Sequence, residues 1–247
     1  MKLHAVTQGS GPKLLIAHGL FGSARNWGVL AKRLSDACEV TVVDMRNHGA
    51  SPWADSHSYA DMAADLAEVI PEGAHVLGHS MGGKAAMVLA LEYPHLVKSL
   101  LVADIAPVGY GHSQAHLIEA MRALPLPVAN RAEAREKLDV PEEVRDFLLQ
   151  SLDVAGGRWR LNLDVLERYM PEIIGFPEVS GHYDGPALFL SGALSDYVRP
   201  EHRDRIRALF PAARFARIPG AGHWLHADRP REFEAAVRGW LAHVTGV

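Results

Sequence analysis

Short apolar runs alternate along most of the chain with longer segments in which apolar residues recur at helical spacing. The apolar runs span residues 2–6, 13–17, 39–44, 74–77, 97–103, 187–192 and 214–218. The first predicts a short edge strand, and the others predict strands buried on both faces of a parallel sheet. Strands that alternate with helices predict an α/β fold with a mostly parallel, doubly wound sheet and a ligand site at the carboxyl ends of the strands.

Four segments with one apolar face predict the helices of this fold, because residues three and four positions apart lie on the same side of a helix. They are the segment that Ser23 caps and residues 58–70, 82–91 and about 230–243. The pair Tyr93-Pro94 predicts the end of the third helix, since a residue before proline avoids helical geometry.

The alternation breaks between about residues 108 and 184, where prolines interrupt helical patterns and no clear strand is present. Gly185-Pro186 then precedes the run that resumes the sheet. We therefore predict an α/β core formed by residues 1–107 and 185–247, with 108–184 inserted as a helical lid over the strand ends. A separate second domain is the weaker interpretation, because about 75 residues fold alone only marginally.

The composition is that of an ordinary globular protein. Of the 247 residues, 48% are apolar and 22% are charged, and the net charge of −4 leaves no basic face for nucleic acid. The single cysteine, Cys38, allows no internal disulfide. The first residues lack the apolar run of a signal peptide, and no later run is long enough to span a bilayer. We expect a cytoplasmic protein without membrane partners, either a monomer or a small homo-oligomer.

The sequence Gly78-His79-Ser80-Met81-Gly82-Gly83-Lys84 joins a predicted strand directly to a predicted helix. The chain must reverse within about one residue, which strains the backbone of the central serine and leaves no space for a Cβ at the flanking glycines. Ser80 then projects above the strand ends, where the first amides of the helix point at a developing anion. This strand–turn–helix pattern is typical of the nucleophile elbow of α/β-hydrolases.

A serine hydroxyl is a poor nucleophile at neutral pH, so Ser80 needs a base that accepts its proton. His223 is our candidate, because it lies on a glycine-containing loop directly after the last predicted strand. His79 adjoins the nucleophile, but neighbouring side chains on an elbow diverge. His226 is a weaker alternative, which packs the same loop if it is not the base.

The base in turn needs an acid that fixes its tautomer and stabilises its cation. Two aspartates respect the chain order Ser, acid, His of this fold. Asp104 closes the strand after the elbow helix, and Asp196 follows the next strand of the sheet. We favour Asp104, because nothing else explains a carboxylate at the end of an apolar strand, and keep Asp196 as the alternative acid.

The oxyanion of an acyl-transfer reaction needs two amide donors, one after the nucleophile and one from the loop after the early buried strand. By chain order these are the backbone amides of Met81 and Phe21. His112 and His116 have a spacing that can bind metal, but no third ligand is evident nearby. We expect neither a metal nor a cofactor.

Several motifs spread over nearly the whole chain point to a known family. They are His18-Gly19-Leu20-Phe21-Gly22-Ser23, Asp44-Met45-Arg46-Asn47-His48-Gly49, the elbow, Asp104-Ile105-Ala106-Pro107, Trp159-Arg160-Leu161-Asn162 and Ala221-Gly222-His223-Trp224-Leu225-His226-Ala227. Together they resemble the YbfF-type small esterases of the α/β-hydrolase superfamily. The resemblance implies an acid at Asp104 and a serine at Ser195, although Asp196 directly after that serine keeps the alternative acid open. It also implies activity on acyl esters or thioesters without a cofactor.

We therefore predict a serine hydrolase that cleaves esters or thioesters of small to medium acyl groups through an acyl-Ser80 intermediate. The alternatives are a carbon–carbon lyase with the same Ser-His pair and a ligand-binding protein. Lys84 is expected to face the lid or solvent. Two further groups of residues either line the cleft or serve packing alone. The first is Arg46, Asn47 and His48, and the second, in the predicted lid, is Trp159, Arg160, Tyr169 and Met170.

Overall fold

The computed structural model describes residues 1–246 and contains nine strands, seven of which form one sheet. The strands are β1 (Ala5–Gln8), β2 (Lys13–Ala17), β3 (Glu39–Val43), β4 (Ala74–His79), β5 (Val97–Ala103), β6 (Leu152–Asp153), β7 (Arg158–Trp159), β8 (Ala187–Gly192) and β9 (Ala213–Ile218). The order in the large sheet is β1-β3-β2-β4-β5-β8-β9, and β1 alone is antiparallel to its neighbour. The predicted mostly parallel, doubly wound sheet is confirmed.

Eleven α-helices accompany the strands within residues 1–246. They are α1 (Gly28–Leu34), α2 (Tyr59–Val69), α3 (Met81–Glu92), α4 (Ala115–Ala123), α5 (Arg131–Lys137), α6 (Glu142–Leu149), α7 (Leu163–Arg168), α8 (Met170–Ile174), α9 (Arg203–Leu209), α10 (Leu225–Asp228) and α11 (Pro230–Thr245). Short 3-10 turns lie at Ala24–Trp27, Pro94–Leu96 and Pro200–His202. None of these helices combines the length and the hydrophobicity needed to cross a lipid bilayer.

The core lies on both faces of the sheet. On one face, α2 and α3 cover the sheet with side chains such as Met62 and Met87. On the other face, α1 and α11 contribute a second cluster that includes Leu34 and Phe233. Helix α3 is buried along nearly its whole length, which explains why its sequence is apolar on every side.

Two predicted elements differ from the structure. The first strand was expected at residues 2–6, but β1 spans Ala5–Gln8, because Ala5 pairs with Val43 at the edge while the Leu3 side chain is buried in the core instead. The segment 108–184, expected to contain no strand, includes the hairpin β6–β7. Strands of two residues are too short to carry a periodic pattern, which is why the sequence does not indicate them.

The segment between β5 and β8, residues 108–184, is called the insertion below. It contains α4 to α8 and is joined to the core by backbone as well as side chains. His48 pairs with Leu161 in an isolated antiparallel bridge, and the Asn162 amide nitrogen donates to the Asn47 side-chain oxygen at 3.0 Å. These contacts attach the insertion to the loop that follows β3.

Candidate active site

The turn between β4 and α3 has the strained geometry expected of a nucleophile elbow. Ser80 has φ 53° and ψ −120°, a conformation that residues other than glycine rarely adopt. A Cβ at Gly78 would lie 2.3 Å from the Gly82 carbonyl oxygen, and one at Gly82 would lie 2.5 Å from the Ala17 carbonyl oxygen. Only glycine fits at both positions, so the motif is required by the close approach of strand and helix.

Three side chains from the carboxyl ends of neighbouring strands form a hydrogen-bonded chain. The Nε2 atom of His223, after β9, lies 3.1 Å from the Ser80 hydroxyl oxygen. The Nδ1 atom of the same ring lies 2.8 Å from Oδ2 of Asp104, which directly follows β5. Parallel strands bring these three residues to one edge of the sheet although up to 143 positions separate them in sequence.

Asp104 is fully buried and all its contacts come from hydrogen-bond donors. Its Oδ1 accepts the Gly192 amide at 2.9 Å, and its Oδ2 accepts both the His223 ring and the Ser195 hydroxyl. The alternative acid, Asp196, is exposed, and its backbone oxygen accepts from the Arg199 side chain. The geometry therefore brings Asp104, and not Asp196, to the imidazole.

Aromatic side chains hold the His223 ring in place. Tyr197 stacks on it with a centroid separation of 4.0 Å. On the elbow, His79 donates from Nε2 to the His223 backbone oxygen at 2.9 Å, so it positions the loop instead of approaching the nucleophile. The His226 ring stacks on the buried Trp27 ring with a centroid separation of 4.3 Å. His226 therefore packs the loop, and His223 is the histidine that faces Ser80.

The backbone amide of Phe21 does not occupy the role assigned to it from the sequence. It donates to Nε2 of His48 at 3.1 Å, and an amide has a single hydrogen, so this donor is engaged. The sequence could not show this contact, because 27 positions separate the two residues. Met81, in contrast, is the first residue of α3, where helix geometry leaves the amide without an intrahelical acceptor.

The neighbouring amide of Leu20 is oriented by His18. The carbonyl of Gly19 accepts from the Gly22 amide at 3.0 Å and from the His18 ring at 2.8 Å. In a trans peptide the N–H points away from the C=O, so these two contacts turn the Leu20 amide to the opposite side. Leu20 and Ser80 line the same cavity.

Backbone contacts fix the tautomers of His18 and His48. The Met45 amide donates to Nε2 of His18 at 2.9 Å, so the ring hydrogen of His18 is on Nδ1 and points to Gly19. The Phe21 amide donates to Nε2 of His48, so its ring hydrogen is also on Nδ1, 2.8 Å from the Arg46 carbonyl oxygen. Burial lowers the pKa of both imidazoles, which keeps them neutral and able to accept.

A largely apolar cavity of about 320 Å³ opens above Ser80. Core elements and the insertion both contribute to its walls. The apolar side chains are Leu20, Phe21, Trp27, Met81, Ile105, Leu117, Val144, Phe147, Ile173, Ile174 and Trp224. A concave, mostly apolar cavity beside a reactive hydroxyl is typical of a small-molecule binding site.

Several residues considered from the sequence lie outside this cavity. Arg46 makes a two-point ion pair with the buried Asp65, with nitrogen–oxygen distances of 2.6 and 2.9 Å, and so stabilises the turn after β3. The Trp159 indole donates to the Met121 carbonyl oxygen at 2.8 Å, which is packing within the insertion. His112, in contrast, lines the cavity, and its ring lies 2.6 Å from the Tyr197 hydroxyl. No cluster of three potential metal ligands occurs in residues 1–246.

The sequence and the fold have counterparts among known proteins. The chain matches the model of the alpha/beta hydrolase family over residues 14–236. The chain belongs to that family. Among curated relatives of this family, it is 43% identical to the mouse (Mus musculus) sn-1-specific diacylglycerol lipase ABHD11, with 94% of this chain and 81% of the relative covered.

Two further relatives are similar over nearly their full lengths. The chain is 39% identical to esterase YbfF of Escherichia coli, with 96% of both chains covered. A solved structure of an esterase from a marine microorganism superposes with a TM-score of 0.91 at 39% identity, covering 96% of this chain and 98% of the other. The resemblance to YbfF-type esterases within the α/β-hydrolase superfamily is confirmed.

Proposed function

We propose that this protein hydrolyses carboxylic esters or thioesters of small to medium acyl groups through an acyl-Ser80 intermediate. The observation that carries the proposal is the hydrogen-bonded chain from the Ser80 hydroxyl through His223 to the buried Asp104. A neutral imidazole whose Nδ1 hydrogen is held by a carboxylate presents its Nε2 lone pair to the serine. The names esterase and diacylglycerol lipase of relatives at 39% and 43% identity support ester chemistry.

In the first step, the Ser80 oxygen attacks the carbonyl carbon while its proton moves to His223 Nε2. The 3.1 Å separation of the two atoms is within the range needed for this transfer. Collapse of the tetrahedral adduct breaks the bond to the alcohol or thiol, and Nε2 returns the proton to that leaving group. The acyl group remains on Ser80, and Asp104 stabilises the transient imidazolium.

In the second step, His223 Nε2 accepts a proton from water, which attacks the acyl carbonyl. The second adduct collapses with return of the proton to Ser80, and the carboxylic acid leaves. The roles of His223 and Asp104 are the same as in the first step, so no cofactor takes part in either half of the proposed reaction.

We assign the two oxyanion donors to the backbone amides of Met81 and Leu20. The first amide of α3 faces the developing negative charge, and the positive end of the helix adds to this effect. The His18 contact to the Gly19 carbonyl supports the orientation of the second donor. Each such donor contributes about 3 kcal/mol to the transition state.

The insertion, residues 108–184, has the role of a lid in this proposal. Helix α6 contributes Val144 and Phe147 to the cavity, and α8 contributes Ile173 and Ile174. Removal of these walls would open the serine to water, so the insertion both binds the acyl chain and limits solvent access. The substrate is accordingly a small molecule with an uncharged, apolar acyl part.

The decisive experiment combines a chromogenic ester with mass spectrometry of the protein. We expect rapid release of p-nitrophenol from p-nitrophenyl butyrate and an acyl adduct on the peptide that contains Ser80. Ser80→Ala should abolish both, while the exposed-site variant Ser10→Ala keeps the activity of the parent protein. Full turnover by Ser80→Ala, or no release and no adduct with the parent protein, contradicts a serine hydrolase and favours a lyase or a ligand-binding protein.

A further inference from the structure

Lys84 is a buried lysine that the proposed reaction does not use. It lies on α3, one helical turn after Ser80, and only 1% of the residue is exposed. The cavity lining within residues 1–246 contains no Asp, Glu or Arg, so no carboxylate there pairs with the Lys84 ammonium. A charged group this deep must obtain its stabilisation from other contacts.

Those contacts come from the end of α8 in the insertion. The Lys84 ammonium donates to the carbonyl oxygen of Ile174 at 2.9 Å and also to that of Gly175. The hydroxyl of Tyr59, at the start of α2, donates to the carbonyl oxygen of Ile173 at 2.6 Å. Two core helices therefore bind three consecutive carbonyl groups at the end of one short helix.

The last carbonyl groups of a helix have no N–H donor within the helix. Where they are buried, they need a hydrogen-bond donor from elsewhere. Lys84 and Tyr59 supply such donors, and the Tyr110 amide also donates to the Ile174 carbonyl oxygen at 3.0 Å. A positive charge on Lys84 also suits the negative end of α8. Burial lowers the pKa of Lys84 to about 7. The faces of the Tyr110 and Tyr59 rings, with centroids 4.8 and 5.9 Å from Nζ, favour the ammonium form.

The same short helix forms a wall of the substrate cavity. Ile173 and Ile174, whose carbonyls are held, are also residues that line the cavity above Ser80. The contacts made by Lys84 and Tyr59 therefore help to fix the position of this wall. Lys84 and Tyr59 also border this cavity. The contacts of Nζ are to the main-chain carbonyls at the end of α8 and not to Ser80, so Lys84 is a positioning residue in this arrangement.

We propose that Lys84 and Tyr59 are specificity-determining positioning residues, which hold the end of α8 and thereby fix the acyl cavity for medium, uncharged acyl chains. The inference rests on the proposed hydrolysis of esters by Ser80. A chain that reaches α8 packs against Ile173 and Ile174, whereas an acetyl group is too short to depend on this wall. Loss of either donor therefore changes the binding of longer acyl chains and leaves the chemistry at Ser80 unchanged.

The test compares p-nitrophenyl acetate, butyrate and hexanoate, so that the alcohol part stays constant. Lys84→Met removes the charge and keeps most of the side-chain volume, and Tyr59→Phe removes one hydroxyl only. Lys98→Met, on the exposed side of β5, and Tyr93→Phe, at the far end of α3, are the matched controls. Circular dichroism and thermal melting establish that each variant is folded before the kinetics are measured.

We expect the hexanoate-to-acetate ratio of kcat/KM to fall at least about fivefold in both variants, since each methylene that loses apolar contact costs about fourfold in binding. The change should lie in KM for hexanoate, with kcat for acetate within about twofold of the parent value. The two controls should keep the parent ratio.

A parent-like ratio in folded Tyr59→Phe overturns the inference, even if Lys84→Met does not fold. A parallel loss on all three esters also overturns it, because that result indicates general destabilisation. If the parent protein hydrolyses none of the esters, the proposed function has failed, and this outcome is distinct from a parent-like ratio in an active variant.

Discussion

Replacement of Asp104 by asparagine exchanges one carboxylate oxygen for an NH2 group at a site where every hydrogen-bond partner is a donor. Oδ1 accepts the Gly192 amide, and Oδ2 accepts the Ser195 hydroxyl and the His223 ring. An asparagine has one acceptor oxygen and one NH2 group, so one of the two oxygen positions must become a donor. The side-chain orientation that results decides the effect on catalysis.

The backbone determines that orientation. The Gly192 amide cannot turn away or change its hydrogen, so an NH2 group in the Oδ1 position leaves two donors facing each other in a buried site, at a cost of about 1–3 kcal/mol. In the Oδ2 position the NH2 group meets partners that can adapt, because the Ser195 hydroxyl rotates and His223 changes its tautomer. The asparagine oxygen therefore faces Gly192, and the His223 hydrogen moves to Nε2.

This tautomer presents a hydrogen, and not a lone pair, to the Ser80 hydroxyl 3.1 Å away. The imidazole can then no longer accept the serine proton, which predicts a fall in kcat of about 10⁴-fold for Asp104→Asn. KM should change little, because the substituted side chain is fully buried and does not line the cavity. The matched control is Asp196→Asn on the exposed loop, where kcat should stay within about twofold of the parent value.

Steady-state hydrolysis of p-nitrophenyl butyrate measures both kinetic effects, and nitrogen-15 NMR of the histidine rings reports the tautomer of His223. Two results refute the reasoning. One is a large loss in Asp196→Asn with little loss in Asp104→Asn, which would make Asp196 the acid. The other is a loss of several orders of magnitude in Asp104→Asn while the hydrogen of His223 is still on Nδ1.

Two further predictions concern the buried histidines. His48→Ala removes the acceptor of the Phe21 amide and so loosens the loop after β2, which carries the proposed Leu20 donor. In the same assay kcat should fall about ten- to a hundredfold with KM nearly unchanged, and a parent-like kcat contradicts this role. Burial lowers the pKa of His57 to about 3 and of His226 to about 4. Both rings therefore bind protons first in the unfolded chain, so stability should fall as pH drops below about 6.5, by about 2 kcal/mol for each ring between pH 8 and pH 5. Urea unfolding at the two pH values measures this difference, and an equal or higher free energy of unfolding at pH 5 refutes it.

The sequence is most informative where a local geometric requirement allows one residue type. Gly78 and Gly82 are examples, because the approach of strand and helix leaves no space for a Cβ at either position. The elbow, the parallel sheet and the order of the candidate catalytic residues along the chain follow from such local patterns and from the topology of the fold. The position of Asp104 also follows from topology, since β4, β5, β8 and β9 are neighbours in the sheet.

Contacts between distant side chains have no such local pattern. His48 accepts an amide 27 positions away, and Lys84 donates to carbonyl groups about 90 positions away, so neither contact leaves a periodic or spacing signal in the sequence. The assignment of an oxyanion donor to Phe21 was wrong for this reason, since chain order identifies the loop but not which of its amides is already engaged. A charged residue inside an otherwise apolar helix was the available signal for Lys84. Because such a residue must find partners once it is buried, its presence one turn after the nucleophile indicates that the insertion docks there.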